Sequence, residues 1–545
     1  MTIGEKIIHL RISRGVSQEK LSGMLGVSRQ SISKWESDES LPSIDNVVEL
    51  CRIFKITTDE LLNPNIILHK NVKISLPLKG DASLKYFGTD GFRGETNKTL
   101  TADHAYKIGR FLGWFFSNPK FTKQKIGYKP CVVIGKDTRL SSYMFEYCVA
   151  SGLTASGADV KMLHVTTTPS LSYVIRQDCF DCGVMITASH NPFSDNGIKI
   201  INNDGEKLDD GIAKMIECYI DGELDKLGVK GSDLPFATGD NVGSIEDYSS
   251  GRNRYIGYLI SLAKHSFKDK RIGLDCANGS SWMIAKSVFS ALGAKLTVIG
   301  DSPNGTNINH HVGSTHIEAL QRLVKENKLD VGFAFDGDAD RCLAIDEKGE
   351  VVDGDKIIYI LAKKMKAEGA LNHNTVVTTV MSNSGLAKAL REIGVSNVVT
   401  SVGDRFVYEK MLEGNYALGG EQSGHIIIRK YATTGDGILT AIMLTEQMIE
   451  SKQSLSELAK GVSLLPQVTK SIKVTDKAQV AADPCVKAKF DEVNDEIAGN
   501  GRALLRQSGT EPVVRIMIES ESKEKCEQYI ERIKAVIKKR GYICE

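Results

Sequence analysis

Short apolar runs alternate with longer amphipathic stretches over most of this 545-residue chain. Strand-like runs occur at residues 132–134, 271–274 and 375–377, and helical patterns follow at 141–156, 281–292 and 435–450. This order is typical of α/β domains, in which helices cover a largely parallel sheet. The pattern therefore predicts three similar α/β domains in succession.

The pattern changes near the end of the chain. Residues 471–474, 503–505 and 513–519 alternate as strands do, and a single charged helix is predicted at 523–539. The C-terminal segment is therefore predicted to be a small α+β domain.

Residues 1–62 predict an all-α domain instead. Ser17 is placed to cap one helix and Ser28 to cap a second, because a serine hydroxyl can accept a backbone N–H of the first helical turn. Ile32 and Trp35, three residues apart in the second helix, face the core.

Charge is unevenly distributed within this first domain. Residues 1–35 hold six basic and two acidic side chains, whereas residues 36–62 hold two basic and seven acidic ones. The basic half contains the second capped helix, as phosphate contact requires. A small helical bundle that makes only protein contacts is the alternative.

These patterns set the predicted domain limits. They are 1–62 for the helical domain, 63–84 for a linker, 85–235, 236–346 and 347–462 for the α/β domains, and 463–545 for the last domain.

Composition narrows the class of protein. The net charge of +1 argues against a strongly basic nucleic-acid binder overall. No apolar run reaches about 18 residues, so no membrane span is predicted. The N-terminus lacks the pattern of a signal peptide, so a cytoplasmic protein is expected. Cys179 and Cys182 form a lone C-x-x-C among eleven scattered cysteines, which are expected to be reduced.

A serine on a tight loop is the first candidate reactive group. Residues 183–187 form a strand-like run, and Ser189 follows just before Asn191 and Pro192, which end the strand. We predict that this hydroxyl is displayed where it can meet a ligand. Lys199 follows ten residues later and can bring a positive charge back to the same place.

Three carboxylates lie between two apolar runs. Asp336, Asp338 and Asp340 occupy alternate positions, and an extended backbone would place them on one side. Carboxylates that face one another repel unless a cation joins them, and their oxygens are ligands for Mg²⁺. An EF-hand loop is excluded, because Arg341 stands where that loop needs glycine and strands flank the run. Arg341 is predicted to bind an anionic substrate beside the metal.

Two arginines enclose a glycine turn near the C-terminus. Arg506 and Arg515 flank Ser508, Gly509 and Thr510. Guanidinium groups donate bidentately to phosphate, and such a turn exposes backbone N–H groups to an anion. The segment is predicted to bind phosphate.

Together these groups favour phosphoryl transfer. That chemistry needs charge neutralisation and positioning more than covalent chemistry from the protein. The chain has no Walker lysine loop, so a nucleotide is not the expected donor.

Five segments in one order carry a resemblance to a known family. They read F-G-T-D-G-F-R-G from Phe87, T-A-S-H-N-P from Thr187, D-G-D-A-D-R from Asp336, G-G-E-Q-S-G-H from Gly419 and R-Q-S-G-T-E-P from Arg506. From Lys85 onward the chain resembles the α-D-phosphohexomutase superfamily, and its Gln422 loop favours the glucosamine branch. Ala339 and Gln507 replace a usual glycine and a usual proline, and neither change removes a functional group.

The resemblance implies a role for each matched residue. Ser189 is a phosphoserine, and one Mg²⁺ per chain is held by Ser189, Asp336, Asp338 and Asp340. The charge stabilisers and acid–base candidates are Lys199, Arg93, Arg341, His425 and His190. The groups that hold the sugar and its distal phosphate are Glu421, Ser423, Arg506, Ser508, Gly509, Thr510 and Arg515. The resemblance does not identify which residue is the general base. The alternative role of His190 is a structural hydrogen bond that holds the serine loop.

The implied reaction converts glucosamine 6-phosphate to glucosamine 1-phosphate through a bound hexosamine 1,6-bisphosphate. The implied architecture is three similar α/β domains and a fourth domain that meet at a central cleft. Phosphomannomutase or phosphoglucomutase specificity is the alternative.

Residues 1–62 resemble lambda-repressor-like helix-turn-helix domains, which implies duplex DNA as a partner and allows a homodimer. The side chains that the resemblance places against DNA are Gln18, Arg29, Gln30, Ser33 and Lys34. Three hypotheses follow. The chain is a working enzyme with a DNA-binding domain, a transcription regulator that senses sugar phosphate, or an enzyme whose first domain serves assembly alone. The retained Ser189 and the three aspartates favour a working enzyme, because a sensor does not need the nucleophile.

Overall fold

A computed structural model describes residues 2–12, 16–54, 56–62, 84–88, 90–122, 127–507 and 513–543. These residues form a helical unit, three α/β units and a small α+β unit, so the predicted fold class is confirmed. The predicted linker, residues 63–84, lies outside the described residues except at its last position. None of the described helices combines the length and apolar character that crossing a lipid bilayer requires.

The N-terminal unit is built from five helices. They are α1 (Ile3–Ile12), α2 (Gln18–Leu25), α3 (Arg29–Glu36), α4 (Ile44–Phe54) and α5 (Thr58–Leu62). The hydroxyls of Ser17 and Ser28 each accept a backbone N–H from the first turn of α2 and α3, as predicted. Gly26 ends α2 with a φ of 66° and makes the turn. Ile32 and Trp35 are buried in the core.

The first α/β unit contains a seven-stranded sheet in the order β1-β2-β6-β5-β3-β4-β7. Its strands are β1 (Phe87–Gly88), β2 (Gly91–Glu95), β3 (Cys131–Lys136), β4 (Asp159–Val165), β5 (Cys182–Ile186), β6 (Asp195–Asn202) and β7 (Ile245–Asp247). Its helices are α6 (Ala102–Ser117), α7 (Leu140–Ala155), α8 (Thr168–Asp178) and α9 (Asp210–Ile220).

The second unit has five strands in the order β12-β11-β10-β8-β9. They are β8 (Arg271–Asp275), β9 (Lys295–Ile299), β10 (Val331–Phe335), β11 (Cys342–Asp346) and β12 (Val351–Val352). The helices along this part of the chain are α10 (Ser249–Leu262), α11 (Ser281–Ala291) and α12 (Glu318–Glu326).

The third unit has four strands in the order β14-β13-β15-β16. They are β13 (Thr375–Thr379), β14 (Ser396–Thr400), β15 (Leu418–Gly420) and β16 (Ile426–Ile428). Its helices are α13 (Gly354–Ala367), α14 (Ser384–Glu392), α15 (Asp404–Glu413), α16 (Gly437–Ser451) and α17 (Leu455–Ala459).

The three units share a strand order that places their loops alike. Each contains four strands in the order fourth, third, first, second, as in β6-β5-β3-β4, β11-β10-β8-β9 and β16-β15-β13-β14. In each unit the third strand runs parallel to the first, and the fourth returns antiparallel to the third. The loop between the third and fourth strands therefore has the same position in every unit.

The last unit is an antiparallel three-stranded sheet in the order β17-β19-β18. Its strands are β17 (Gln467–Lys473), β18 (Arg502–Gln507) and β19 (Val513–Glu519), and its helices are α18 (Lys477–Ala482), α19 (Pro484–Glu496) and α20 (Lys523–Lys539). The prediction of a single helix is wrong here. Asp476 and Asp483 cap two further helices, which bury Val480, Val486 and Val493 in the core of this unit.

Candidate active site

Ser189 lies on the loop that joins β5 to β6, the shared loop position of the first unit. Its φ is 51°, a left-handed conformation that costs a non-glycine residue about 1–3 kcal/mol and persists only where its surroundings hold it. Arg139 and Asn309 supply that support, because both donate to the Ser189 carbonyl, at 2.9 and 2.8 Å. Neither of these two side chains was predicted as a site residue from the sequence.

The Ser189 side chain faces a carboxylate rather than bulk solvent. The residue is 1% exposed, and its hydroxyl donates to Oδ2 of Asp336 at 2.6 Å. Nδ1 of His190 lies 3.2 Å from Oγ of Ser189. The serine stands on a tight loop as predicted, but the pattern did not indicate its burial.

The three aspartates occupy the shared loop position of the second unit, between β10 and β11. Their nearest ligand oxygens lie within 4.8 Å of one another, so the carboxylates of Asp336, Asp338 and Asp340 converge. The expected cause, an extended backbone, is wrong. Residues 336–341 form a turn outside the strands, and Ala339 has a φ of 56°. That conformation favours glycine, which accounts for the usual glycine at this position.

Two carboxylate oxygens of this loop lack a hydrogen bond, although one of them, Oδ1 of Asp340, lies 3.7 Å from Nδ1 of His425 and 3.9 Å from Nε of Arg341. Within the described part of the chain, Oδ1 of Asp338 and Oδ1 of Asp340 are buried and have no hydrogen-bond partner. Oδ2 of Asp338 accepts from the Thr168 hydroxyl at 2.6 Å and from Lys199 at 2.8 Å. Buried anionic oxygens are costly unless a cation meets them. The donor set and its unpaired oxygens therefore fit a hard divalent cation.

The pKa values of two of these carboxylates are shifted in opposite directions. Burial raises the pKa of Asp336 well above its usual range, and the neighbouring Asp340 and Asp338 raise it further. Burial also opposes ionisation of Asp340, but Lys199, His425 and Arg341 together outweigh it and hold that pKa well below the usual range. A divalent cation would offset the burial and the repulsion that raise the pKa of Asp336.

Two arginines lie near the serine loop. Arg93, on β2, pairs with Asp90, and the backbone N–H of Arg341 donates to Asp336 at 3.1 Å. The Nε atoms of both arginines are buried and lack a hydrogen-bond partner among the described residues. Burial and these two cations lower the pKa of His190 to about 4. Buried guanidinium nitrogens that lack a hydrogen bond are suited to an anionic phosphoryl group.

A chain of charged contacts links the first unit to the third. Nζ of Lys207 lies 3.0 Å from Asp90 and 2.6 Å from Asp404. Asp404 lies 3.6 Å from Nε2 of His425, whose Nδ1 is 3.7 Å from Asp340. Burial alone would lower the pKa of His425, but Asp340 and Asp404 raise it to about 9. Neither Lys207 nor Asp404 belongs to a motif in the sequence, so neither was predicted as a site residue.

The predicted sugar contacts lie between β15 and β16, the shared loop position of the third unit. Oε1 of Glu421 accepts the N–H of Gly403 at 3.1 Å. Oγ of Ser423 is buried without a hydrogen-bond partner in the described chain. Nε2 of Gln422 donates to Gln467 on β17 at 2.9 Å, so this loop contacts the C-terminal unit.

The C-terminal unit places two guanidinium groups side by side. Arg506 on β18 and Arg515 on β19 are paired directly across the antiparallel strands, so their side chains project from one face. Burial and the neighbouring Arg515 charge lower the pKa of Arg506. An anion bound beside both would relieve this repulsion. Ser508, Gly509 and Thr510 lie outside the described residues.

The helix α3 presents most of the predicted DNA contacts on an exposed surface. The exposed polar side chains are Arg29, Gln30, Ser33 and Lys34. Gln18 differs from them, because it is half-buried and its amide donates to Glu36 of α3 at 2.7 Å. Gln18 therefore ties α2 to α3 in this structure.

Family profiles match most of the chain in order. Phosphoglucomutase/phosphomannomutase profiles match alpha/beta/alpha domain I at residues 84–226, domain II at 253–349 and domain III at 353–464, and the C-terminal domain at 470–536. A helix-turn-helix profile matches residues 7–61. Both predicted resemblances are confirmed.

Two solved structures are similar in fold. A phosphoglucomutase/phosphomannomutase family protein from Burkholderia thailandensis is 26% identical, with a TM-score of 0.67 over 84% of this chain and 98% of that one. The N-acetylphosphoglucosamine mutase of Aspergillus fumigatus, solved with GlcNAc-6P and magnesium, is 17% identical. Its TM-score is 0.60 over 83% of this chain and 95% of that one.

Similarity in sequence is much higher to one enzyme. The phosphoglucosamine mutase of Lachnospira eligens is 58% identical over 84% of this chain and 99% of its own length. The phosphoglucosamine mutase of Anoxybacillus flavithermus is 48% identical, again over 84% of this chain and 99% of its own length. Identity at this level across all four mutase domains shows that the chain belongs to the phosphoglucosamine mutase family, with a helix-turn-helix domain at its N-terminus.

Proposed function

We propose that this chain interconverts glucosamine 6-phosphate and glucosamine 1-phosphate through a phosphoryl group carried on Ser189. The position of the Ser189 hydroxyl is the observation that supports this most directly. It lies 2.6 Å from Asp336 in a loop of three aspartates. Arg93 and Arg341 each keep a buried Nε atom near the serine loop that makes no hydrogen bond within the described residues. Phosphoryl transfer needs this concentration of positive charge around the moving group.

The proposed Mg²⁺ ligands are Asp336, Asp338 and Asp340, together with a phosphate oxygen on Ser189. The two buried oxygens without donors are the structural argument for a cation here. When bound, the ion polarises the phosphoryl oxygens and neutralises part of their charge. The magnesium bound to the Aspergillus fumigatus relative agrees with this choice of metal.

Two transfers complete the proposed reaction. The C1 hydroxyl oxygen of glucosamine 6-phosphate forms a bond to the phosphorus on Ser189, its proton passes to a base in the site, and the bond from phosphorus to Ser189 breaks. The resulting 1,6-bisphosphate turns around. The Ser189 oxygen, which gives up its proton, then forms a bond to the phosphorus of the 6-phosphoryl group. The bond from that phosphorus to the C6 oxygen breaks and the C6 oxygen takes up a proton, which leaves glucosamine 1-phosphate and a phosphorylated Ser189. Arg506 and Arg515 are proposed to hold whichever phosphate is not reacting. They are neighbours across two strands, and a bound anion would reduce the repulsion between their positive charges.

A coupled assay of glucosamine 1-phosphate formation on the purified full chain tests the proposal. Activity that needs Mg²⁺ and is stimulated by the 1,6-bisphosphate is expected. An inactive, folded protein that still binds hexosamine phosphate would instead support the sensor hypothesis.

Substrate preference should favour the amino sugar. Glu421 can accept a hydrogen bond from the ammonium group of the amino sugar. A hydrogen bond between charged groups is strong enough that kcat/KM should be about 10- to 100-fold higher for glucosamine 6-phosphate than for glucose or mannose 6-phosphate. Glu421→Gln keeps the size of the side chain and should reduce this ratio, whereas Ser423→Ala should lower all three values. A wild-type preference for mannose or glucose phosphate would assign the chain to the other branch.

Residues 1–62 are proposed to bind duplex DNA through α3. Selection of duplexes by the full chain at low salt should yield an enriched sequence, and binding should weaken as salt rises. Lys34→Ala should reduce the log–log salt slope by about one, because one phosphate contact is lost. Gln30→Ala, the matched control without charge, should weaken binding and leave the slope unchanged.

Removal of residues 1–70 should leave mutase activity intact. If no sequence is enriched, the domain does not read DNA.

A further inference from the structure

A tight turn after β6 places Lys207 beside Lys199. The side-chain oxygen of Asn202 accepts two backbone N–H groups of this turn, each at 2.9 Å, and Gly205 has a φ of 76°, which glycine adopts readily. The chain therefore reverses, and Lys207 forms an antiparallel bridge with Ile201 of β6. Side chains that are opposite across a bridge, or two residues apart on a strand, project from one face. Lys199 and Lys207 therefore extend to the same side of the sheet.

Both lysines reach Asp90, on the turn between β1 and β2. Nζ of Lys199 lies 3.1 Å from this carboxylate, and Nζ of Lys207 lies 3.0 Å from it. Lys199 also contacts Asp338 and Asp340, at 2.8 and 3.3 Å. We call Lys199 and these two aspartates the transfer groups. Asp90 therefore links Lys207 to the side of the site where the phosphoryl group is proposed to move.

The other partner of Lys207 belongs to the third unit. Nζ of Lys207 lies 2.6 Å from Asp404, the first residue of α15. Gly403, just before this helix, donates its backbone N–H to Glu421 at 3.1 Å. Glu421 stands in the loop between β15 and β16, which we call the sugar loop. Asp404 therefore links Lys207 to the sugar loop.

The ammonium of Lys207 holds two carboxylates together. Burial would lower the pKa of Lys207, but Asp404 and Asp90 raise it above its usual value, so the side chain is charged. The three side chains line a cavity of about 270 Å³ between the first and third units. The negative charge of Asp90 opposes ionisation of Asp404. Removal of the cation between them should therefore move the two units apart.

The next residue of α15 makes a contact of a different kind. Arg405 also joins the third unit to the first, because it pairs with Asp210 of α9. Its side chain is 31% exposed, close to the 28% of Lys207. Neither Arg405 nor Asp210 is a predicted site residue. This second ion pair is therefore an internal comparison for the bridge that Lys207 makes.

We propose that Lys207 is a positioning residue, which fixes the sugar loop at its working distance from the transfer groups. The proposal rests on the mutase function proposed above. A site assembled from two units needs a fixed relation between them, because a displacement of about 1 Å between reacting atoms costs about 100-fold in rate. Lys207 can maintain that relation, since its ammonium pairs at once with Asp90 beside Lys199 and with Asp404 beside the sugar loop.

Steady-state kinetics of full-length variants test this role. Lys207→Met removes the charge and should lower kcat by about 100-fold through misplacement of the sugar. KM should change less, because Arg506 and Arg515 still hold the distal phosphate. The preference for glucosamine 6-phosphate over glucose 6-phosphate should also fall, since Glu421 loses its fixed position. Lys207→Arg keeps the charge and should recover at least about tenfold of the lost kcat.

Two further variants make the comparison decisive. Asp404→Asn breaks the same bridge but leaves Lys207 paired with Asp90, so it reports on the bridge even if Lys207→Met is unstable. It should lower kcat and the preference in the same direction. Arg405→Met is the matched control, and it should change either quantity by no more than about threefold, as loss of a partly exposed ion pair does.

The outcomes separate this proposal from the proposed function. Equal losses in Lys207→Met and Arg405→Met, or losses confined to KM with an unchanged sugar preference, would overturn the positioning role while the mutase function stands. Normal kinetics in Asp404→Asn would also overturn it. A wild-type chain without mutase activity would refute the proposed function, and the positioning role with it.

Discussion

Replacing Ser189 with alanine is expected to lower mutase turnover by roughly four orders of magnitude or more, because a covalent carrier is removed while binding groups remain. The structure gives the alanine no substitute. The carboxylate of Asp336 lies 2.6 Å from the lost hydroxyl, but it is proposed to hold the metal ion and is therefore not free to carry the phosphoryl group. The coupled assay should therefore show a collapse of kcat, with substrate binding largely kept.

Mass spectrometry separates this result from a folding defect. Intact wild-type protein should carry one phosphate that is missing from Ser189→Ala, and both should melt at similar temperatures. Ser281→Ala is the matched control, because Ser281 is also fully buried but lies on α11 in the second unit. It should keep its phosphate and its activity. Near-normal turnover in Ser189→Ala would rule out the phosphoserine mechanism.

Local sequence signals predicted much of the fold. The strand at Val513–Glu519 and the helix at Lys523–Lys539 were both predicted with their observed limits, because apolar periodicity is strong there. The helices α18 and α19 were not predicted, although Asp483 followed by Pro484 is a sequence signal for the beginning of a helix. Their helical form also depends on burial of three valines in the C-terminal core, a tertiary contact that no local pattern contains.

The candidate site divides in the same way. Its reactive residues stand in contiguous motifs, so sequence alone could name Ser189 and the three aspartates. Lys207 and Asp404 are 197 positions apart and meet only when the first and third units assemble. The turn that gathers the aspartates was likewise not visible, because a repeat of two residues suggests an extended strand just as well. Long-range convergence, rather than residue chemistry, was the missing information.

Asp338→Asn is expected to weaken Mg²⁺ binding by about tenfold or more, since even an indirect partner of a metal ligand contributes about that much. Oδ2 of Asp338 already accepts from Thr168 and Lys199, so the retained amide oxygen can keep those contacts. The amide nitrogen then replaces Oδ1, the oxygen without a donor, and cannot bind a cation. Loss of one negative charge should lower metal affinity without disturbing the loop.

The measurement should use binding as well as activity. Mg²⁺ should raise the melting temperature of the wild-type chain, because a ligand of the native state stabilises it. Asp338→Asn should show that rise only at higher Mg²⁺. Asp346→Asn is the matched control, since Asp346 is buried at the end of β11 but accepts backbone N–H groups of Lys348 and Glu350 instead. It should respond to Mg²⁺ as wild type does. Chelator should abolish wild-type turnover, and added Mg²⁺ should restore it. Full activity in chelator would exclude the metal from the mechanism. Lys199 would then be the main counter-charge to these aspartates.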